Sequence, residues 1–237
     1  MIVIQFDANY LHWGVLLLRS LALHEPRKRV LADTVGLSPA QAAEVRAAHP
    51  GAIVEETPAP AGGTSRDFMV NLKPYLLRRV MDDHPREPWY CLFDADFLVR
   101  RPLTDLWSCM RWASAGVIHG PASGVWDRIA SGLVLLRPEA RPLVESWVAG
   151  YSKRSIGGVR RGCFFFDQAT LALAYERTPL RYARIPGNEY LDVRFRPDSS
   201  IWSAHVAPED KDRAYCRFLA EHERQLREAR GSDRAIG

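Results

Sequence analysis

The sequence predicts an α/β fold in which helices cover both faces of a mostly parallel central sheet. Apolar segments rich in β-branched residues alternate along the chain with segments whose apolar residues have helical spacing. The predicted strands are apolar on both faces, which is typical of strands buried in a parallel sheet. The 237 residues are 47% hydrophobic and 25% charged, and no Pro/Gly/Ser-rich linker divides them, so we expect one domain over residues 1–237.

The first half of the chain, residues 1–110, predicts four strand–helix units. Residues 2–6 are an apolar run interrupted by Gln5, and the apolar residues from Leu11 to Leu21 follow at helical spacing, with Asn9 as the expected N-cap. Further strands are predicted at residues 30–35, 52–54 and 89–93, and a loop at 57–65. One helix is predicted to begin at Pro39 with Ser38 as its N-cap, a second near Pro74 and a third at residue 102.

The second half, residues 111–237, continues the alternation. Strands are predicted at residues 113–118, 133–136, near 181–185 and at 201–205, and helices at 139–149, 167–175 and from about Asp212. The glycine-rich, basic stretch 151–162 is predicted to be a mobile loop; the functional alternatives are a lid or a site that receives an anionic acceptor. In such sheets ligands bind beyond the carboxyl ends of the strands, so polar residues that directly follow strands are the candidates for a site.

Composition limits the compartment and the partners. No apolar run approaches the roughly 18 residues that a membrane span needs, and the amino terminus lacks a signal-peptide pattern, so we expect a cytoplasmic protein with no transmembrane segment. The net charge of +4 is compatible with an anionic partner, but its spread along the chain makes nucleic acid a minority interpretation. Four widely spaced cysteines predict reduced, mostly buried thiols: Cys91, Cys109, Cys163 and Cys216.

Two aspartates follow the strand at residues 89–93. Asp94 and Asp96 are two residues apart, so in extended backbone their carboxylates point to the same side. Like charges held so close favour a cation between them, and oxygen ligands suit Mg²⁺ or Mn²⁺. A second pair, Asp210 and Asp212, has no strand before it and is expected on a solvated surface.

A resemblance supports this interpretation. The segment 89–107, with its apolar strand, Asp94-Ala95-Asp96 and Leu103-Thr104-Asp105-Leu106-Trp107, resembles the DxD region of nucleotide-sugar glycosyltransferases of the GT-A fold. It is most similar to glycosyltransferase family 8, which includes glycogenin and bacterial galactosyltransferases. Three further segments resemble family motifs in the expected order: Asp7-Ala8-Asn9-Tyr10, Phe166-Asp167-Gln168, and His205 with Lys211 six residues later.

The resemblance implies a single GT-A domain, with a nucleotide-binding half at 1–110 and an acceptor and sugar half at 111–237. It implies a retaining, metal-dependent transfer from a nucleotide sugar, a UDP-sugar by preference, to an acceptor that the basic charge suggests is anionic: a phosphorylated or lipid-linked glycan, or DNA. Its implied ligands of Mn²⁺ (or Mg²⁺) are Asp94, Asp96 and His205, and its implied residues beside the reacting sugar are Asp167 and Gln168. The implied nucleotide-sugar contacts are Asp7, Asn9, Tyr10, Lys73, Asp94, Ala95, Ser131 and Lys211.

The sequence also departs from the family pattern. Ala130-Ser131-Gly132 stands where the family has Asn-Ala-Gly, so the amide that would contact the sugar is missing; either Ser131 substitutes for it or the donor sugar differs. Pro208 replaces the glycine between His205 and Lys211, and Asp212-Arg213 replaces Pro-Trp. The family's arginine before the DxD strand has three candidate equivalents, of which we favour Lys73 because it precedes an expected helix start: Arg66, Asn71 and Lys73.

Structural roles remain open for several of these residues. Asp167, Asp7 and Asn9 are also suited to helix capping, and His205 to a partly buried core position. Trp126 and Trp202 are candidates for stacking on a sugar. Other classes stay open as well: a non-catalytic sugar or nucleic-acid binding protein of the same fold, a nucleotidyltransferase that lacks its glycine-rich signature, and a phosphohydrolase, for which Leu98 stands where Thr or Val is expected.

Overall fold

A seven-stranded sheet forms the centre of the computed structural model, which describes residues 1–59, 66–120, 128–203 and 205–234. The strands are β1 (Ile2–Asp7), β2 (Val30–Val35), β3 (Ala52–Thr57), β4 (Tyr90–Asp94), β5 (Leu98–Val99), β6 (Ala115–His119), β7 (Ile129–Leu136), β8 (Ser155–Ile156), β9 (Val159–Arg160), β10 (Tyr182–Ile185) and β11 (Ile201–Trp202). The helices are α1 (Leu11–His24), α2 (Pro39–Ala48), α3 (Arg66–Asn71), α4 (Lys73–Asp83), α5 (Thr104–Cys109), α6 (Arg141–Gly150), α7 (Phe166–Arg177), α8 (Gly187–Tyr190) and α9 (Pro208–Arg234).

The strand order is β3-β2-β1-β4-β7-β6-β10. Within this described sheet β7 runs antiparallel to both of its neighbours, and the remaining pairs are parallel. The predicted α/β class with a mostly parallel sheet is therefore confirmed. Because β1 and β4 are parallel neighbours, with Gln5 paired to Asp94, the residues that follow both strands meet at one edge of the sheet.

Alternate side chains of the strands enter two apolar layers, one on each face of the sheet. On β1, Ile2, Ile4 and Phe6 pack with residues of α1, α2 and α5, whereas Val3 packs with residues of α4, α6 and α7. This is why the strands read as continuous apolar runs: both of their faces are covered by helices. The sheet is consequently a rigid support for the polar residues at its edge.

A second, two-stranded sheet lies beside the main one. Strand β5, which begins two residues after Asp96, pairs antiparallel with β11, which ends three residues before His205. Sequence reasoning missed β5, and it extended β11 too far, to residue 205. The pairing brings together two segments about 100 residues apart in sequence and so carries His205 towards the DxD edge.

Several predicted boundaries need correction. Asn9 does not cap α1: a 3₁₀ turn at Ala8–Tyr10 precedes the helix, and the Asp7 carboxylate accepts hydrogen bonds from the backbone N–H groups of Asn9 and Tyr10. The final helix begins at Pro208 instead of Asp212. The expected loop 151–162 contains the hairpin β8–β9, and α3 and α8 were not predicted.

In the described helices, no segment is long and apolar enough to cross a membrane. All four cysteines are free. The expectation that they are mostly buried is wrong, since Cys163 and Cys216 are exposed and only Cys91 is fully buried.

Candidate functional site

A cavity opens at the carboxyl ends of β1 and β4, where the sequence predicts a ligand site. Its walls come from both halves of the chain, because β7, the start of α7 and the segment after β11 all reach the same edge. The polar and charged lining residues are Gln5, Asp7, Tyr10, Lys73, Asp94, Asp96, Ser131, Asp167, Gln168, Ser203 and His205.

Four of these side chains form a connected group, which we call the inner network: Lys73, Asp94, Ser131 and Asp167. The Lys73 ammonium lies 2.7 Å from Asp94 Oδ1, 3.1 Å from Asp167 Oδ2 and 3.3 Å from Ser131 Oγ. The Ser131 hydroxyl donates to Asp167 Oδ2 at 2.5 Å. One lysine therefore joins the ends of β4 and β7 to the first turn of α7.

The inner network places two carboxyl groups on one ammonium. Burial alone would lower the pKa of Lys73, but the charges of Asp94 and Asp167 outweigh burial and raise it. Burial raises the pKa of Asp94 against the opposing effect of Lys73, and the neighbouring Asp96 raises it further. Lys73 is consequently cationic at neutral pH.

One oxygen of the inner network is unsatisfied. Asp167 is 2% exposed, and its Oδ1 has no hydrogen-bond partner among the described atoms. The residue also lines the cavity. A buried acceptor without a donor is costly, so this oxygen is suited to accept a hydrogen bond from a bound molecule.

The position of Asp167 argues against the alternative of a helix cap. Phe165 occupies the N-cap position of α7 without a side-chain bond, and Asp167 lies inside the first turn. The buried Trp147 indole donates to the main-chain oxygen of Asp167 at 3.0 Å, which fixes that turn. Gln168 follows directly and also lines the cavity.

The second aspartate of the DxD segment has its own lysine. Lys211 Nζ lies 2.7 Å from Asp96 Oδ2, and we call Asp96 and Lys211 the outer pair. Lys211 is 6% exposed and lies near the rings of Trp13 and Tyr215, at 5.3 and 5.5 Å from their centroids. It does not lie among the described residues that line the cavity.

Asp94, Asp96 and His205, the predicted metal ligands, all line the cavity. Two carboxylates and an imidazole are a donor set that suits Mn²⁺. Their ligand atoms are not drawn together, however: across the described ranges, the group with three such atoms within 4.8 Å of one another is His12, Asp212 and Cys216, near the surface. A divalent ion at Asp96 would bind Oδ1 or compete with Lys211 for Oδ2.

The predicted nucleoside contacts divide into two groups. Asp7 and Tyr10 line the cavity. Asn9 is exposed and donates through Nδ2 to Asp7 Oδ2, and it is absent from the described cavity lining. Ala95 and Ser131 line the cavity as well.

The remaining candidates are those for the family's arginine and those for stacking on a sugar. Lys73 begins α4, with its side chain committed to the inner network. Asn71 does not line the described cavity, the side chain of Arg66 is not described, and Trp126 lies outside the described residues. Trp202 does not stack in the cavity: its ring contacts Phe195 and Phe218.

Sequence reasoning missed the apolar part of the cavity wall. Met69, Val70, Phe164 and Phe165 line it. The signal for the two phenylalanines was the run of three aromatic residues directly before Asp167-Gln168. The sequence also gave no indication of the role of Gly132. A Cβ at this position would lie 2.6 Å from Asp94 Oδ2, so the glycine makes room for that carboxylate.

No protein-family model and no curated protein matches the chain. Solved structures do match. GlyE of Streptococcus pneumoniae TIGR4, a glycosyltransferase, is 13% identical with a TM-score of 0.62, and the match covers 92% of this chain and 59% of GlyE. The galactosyltransferase LgtC, solved with donor and acceptor sugar analogues, is 14% identical with a TM-score of 0.62, covering 93% of this chain and 95% of LgtC.

A third similar structure is a glycosyltransferase involved in glycosylation of the major capsid of PBCV-1. It is 12% identical, with a TM-score of 0.60, and the match covers 90% of this chain and 98% of that one. The chain spans about three fifths of the length of the GlyE chain and nearly all of the other two. The chain therefore shares the GT-A fold of these glycosyltransferases.

Proposed function

We propose that this chain is a glycosyltransferase that moves a sugar from a nucleotide-sugar donor, a UDP-sugar, to an acceptor with retention of anomeric configuration. One observation carries the proposal: a single cavity at the carboxyl ends of the strands is lined by paired aspartates, a histidine, and a buried carboxylate with an unsatisfied oxygen. The fold shared with GlyE and LgtC supports sugar transfer as the reaction class.

The donor's charge is the main electrostatic problem of such a reaction. Departure of a nucleoside diphosphate develops negative charge, which a divalent ion offsets where it appears. Asp94, Asp96 and His205 are the residues that would hold Mn²⁺ or Mg²⁺. Lys211 would contact the diphosphate only after leaving Asp96, to which it is bound at 2.7 Å.

The reacting sugar would lie against Asp167 and Gln168. The transition state is cation-like at the anomeric carbon, so oxygens that face it stabilise it. Oδ1 of Asp167 is free to accept from a sugar hydroxyl, because Oδ2 is held by Ser131 and Lys73. Lys73 and Ser131 hold Asp167 in place, and Asp7 and Tyr10 would contact the nucleoside.

Thermal melting with UDP, GDP and dTDP, with and without Mn²⁺, tests the donor site. A ligand at 100 times its Kd adds about 2.7 kcal/mol. For a chain of this size that is a rise of roughly 5–10 °C in Tm. We expect it for one nucleotide, only with Mn²⁺.

Two double variants compare loss of the proposed metal ligands with loss of two aspartates away from the cavity. Asp94→Ala/Asp96→Ala should abolish the Mn²⁺-dependent shift. The matched control Asp82→Ala/Asp83→Ala, at the exposed end of α4, should keep it. A shift that needs no metal and survives loss of Asp94 and Asp96 contradicts the proposed site.

One observation favours a second candidate, a binding protein of the same fold without turnover: each aspartate of the DxD segment already has a lysine partner. Release of the nucleoside diphosphate from UDP-sugars separates the two. We expect release, slowed about 100-fold by Asp167→Asn with donor binding retained. Binding without any release, with water or acceptors present, would favour the second candidate.

A further inference from the structure

The segment between α6 and α7 has an unusual charge. It contains four basic residues and no acidic residue, so its charge of +4 equals the net charge of the whole chain. We call residues 153–161 the basic hairpin. Its charged side chains are all exposed: Lys153, Arg154, Arg160 and Arg161.

The basic hairpin is an ordered element and not a loose loop. Gly157 and Gly158, between the paired strands β8 and β9, have φ angles of 53° and 84°, as a type I′ turn requires. Ile156 is buried in the core, and Val159 packs against it. Both strands contact α7, so the hairpin holds its cations at a fixed place beside that helix.

The four cations of the basic hairpin have no ion-pair partner among the described residues. In the described part of the chain, none of the four is within 4.0 Å of a carboxylate, although Arg19, Arg29, Arg79, Arg128 and Arg141 elsewhere are. Among the described residues, the Arg161 guanidinium donates to the main-chain oxygen of Tyr151 at 3.4 Å. A rigid, unpaired group of like charges costs folding energy through self-repulsion, and an anion would relieve that repulsion.

The basic hairpin leads directly into the cavity wall. Two consecutive turns, closed by hydrogen bonds from Cys163 N to Arg160 O and from Phe166 N to Cys163 O, connect it to α7. Phe164 and Phe165, within these turns, line the cavity. Because three residues span at most about 11 Å, the Cα atoms of Arg161 and Phe164 lie within that distance.

We propose that the basic hairpin binds the anionic group of a saccharide acceptor, a phosphate, carboxylate or sulfate, while Phe164 and Phe165 contact its sugar rings at the cavity. This acceptor proposal rests on the proposed function and names the class of acceptor for the same site. A patch of four cations beside two aromatic rings fits one or two anionic groups on a glycan. Nucleic acid would call for a longer basic track along its backbone.

Direct binding tests the proposal, with tetragalacturonate and a heparin-derived tetrasaccharide as anionic probes and maltotetraose as the neutral one. We expect the wild-type protein to bind at least one anionic probe about tenfold more tightly than maltotetraose at low salt, and the preference to shrink as salt rises. Arg154→Glu/Arg160→Glu should abolish the preference. The matched control Arg27→Glu/Arg86→Glu changes the same number of charges at exposed sites before β2 and β4, and it should keep the preference.

Three results overturn the proposal: no binding of either anionic probe at millimolar concentration, equal binding by the hairpin variant and its control, or tighter binding of single-stranded DNA than of both saccharides. The Mn²⁺-dependent Tm shift with UDP, measured on the same samples, separates this from failure of the proposed function. If the shift remains and the anion preference is absent, only the acceptor assignment fails. If the shift is absent in wild-type protein, the proposed function itself is contradicted, and the acceptor assignment that rests on it falls with it.

Discussion

The two aspartates of the DxD segment have lysine partners at the same distance, 2.7 Å, yet the two pairs have different surroundings. Lys73 contacts two carboxylates and a hydroxyl, and it lines the cavity. Lys211 contacts one carboxylate and two aromatic rings, and it lies behind Asp96 on a different helix. Distance alone therefore does not distinguish a fixed ion pair from a replaceable one.

The difference lies in what remains when each lysine leaves. Without Lys73, the buried carboxylate of Asp167 would lie beside that of Asp94, whose side chain is 34% exposed, with no counter-charge between them. Without Lys211, Asp96 would lose one partner, but its side chain is 29% exposed to water or a cation, and no second described carboxylate shares that lysine. We infer that Lys73 is a fixed part of the inner network, whereas the outer pair can open.

Replacement of Lys73 should give the largest effect. Lys73→Met leaves the buried carboxylate of Asp167 beside that of Asp94 without a counter-charge, and removing one partner of a buried ion pair costs about 3–5 kcal/mol. Lys211→Met should cost about 1 kcal/mol or less, because methionine packs well between aromatic rings and Asp96 can be hydrated. Urea unfolding of both variants measures the difference.

Lys28→Met is a matched control for both variants. Lys28 also lies over two aromatic rings, Trp89 and Trp107 at 4.9 and 5.0 Å, but it has no carboxylate partner in the described structure. Equal losses for Lys73→Met and Lys211→Met would contradict the distinction between the inner network and the outer pair.

Gly132 gives a smaller test of how tightly the inner network is packed. A Cβ at this position would lie 2.6 Å from Asp94 Oδ2 and 3.2 Å from Phe97 Cζ. Because Lys73 holds the other oxygen of Asp94, the carboxylate cannot rotate away without losing that bond. Gly132→Ala should therefore cost about 1–3 kcal/mol in urea unfolding, as overpacking does elsewhere. A loss too small to measure would mean that Asp94 moves freely.

The comparison also shows what the sequence can predict. Asp94 and Asp96 were predictable because an apolar strand of the sheet ends at them, and strand ends meet at one edge. The role of Lys73 was not, since it depends on contacts with residues 21, 58 and 94 positions further along the chain. Such contacts leave no local pattern in a single sequence.

Lys211 shows how one helix boundary changes an interpretation. With the helix expected from Asp212, Lys211 falls in a loop and is free to reach a phosphate. The helix begins at Pro208, so Lys211 lies in its first turn, facing Trp13 and Asp96. The hairpin β8–β9 had a local signal, the Gly157-Gly158 pair between two short segments, which the sequence analysis assigned to a loop.

Metal affinity should reveal whether the outer pair opens. In Lys211→Met protein both oxygens of Asp96 are available and a competing positive charge is gone, so Mn²⁺ alone should bind about tenfold more tightly than to wild type. Titration followed by electron paramagnetic resonance of free Mn²⁺ measures this, and Lys28→Met should leave the affinity unchanged. An unchanged affinity in Lys211→Met protein would mean that Lys211 does not compete with a cation for Asp96.

The outer pair also depends on how α9 is held against α1, and this gives the smallest expected effect. The His24 ring on α1 lies 5.6 Å from His222 and 6.4 Å from Phe218, both on α9, and its Nε2 has no described hydrogen-bond partner. Burial, aided by His222, lowers the pKa of His24 from 6.5 to about 4. The folded state therefore favours neutral His24.

Its stabilising contribution should accordingly be complete above pH 6.5 and be lost as pH falls from 6.5 towards 4, because the unfolded chain takes up the proton first. For a partly exposed ring we expect this loss to be about 1–2 kcal/mol, and His24→Phe should remove it. Urea unfolding at pH 7 and pH 4.5 measures the loss in both proteins. An equal decline in wild type and variant would show that the α1–α9 contact, and the outer pair with it, is not weakened through His24.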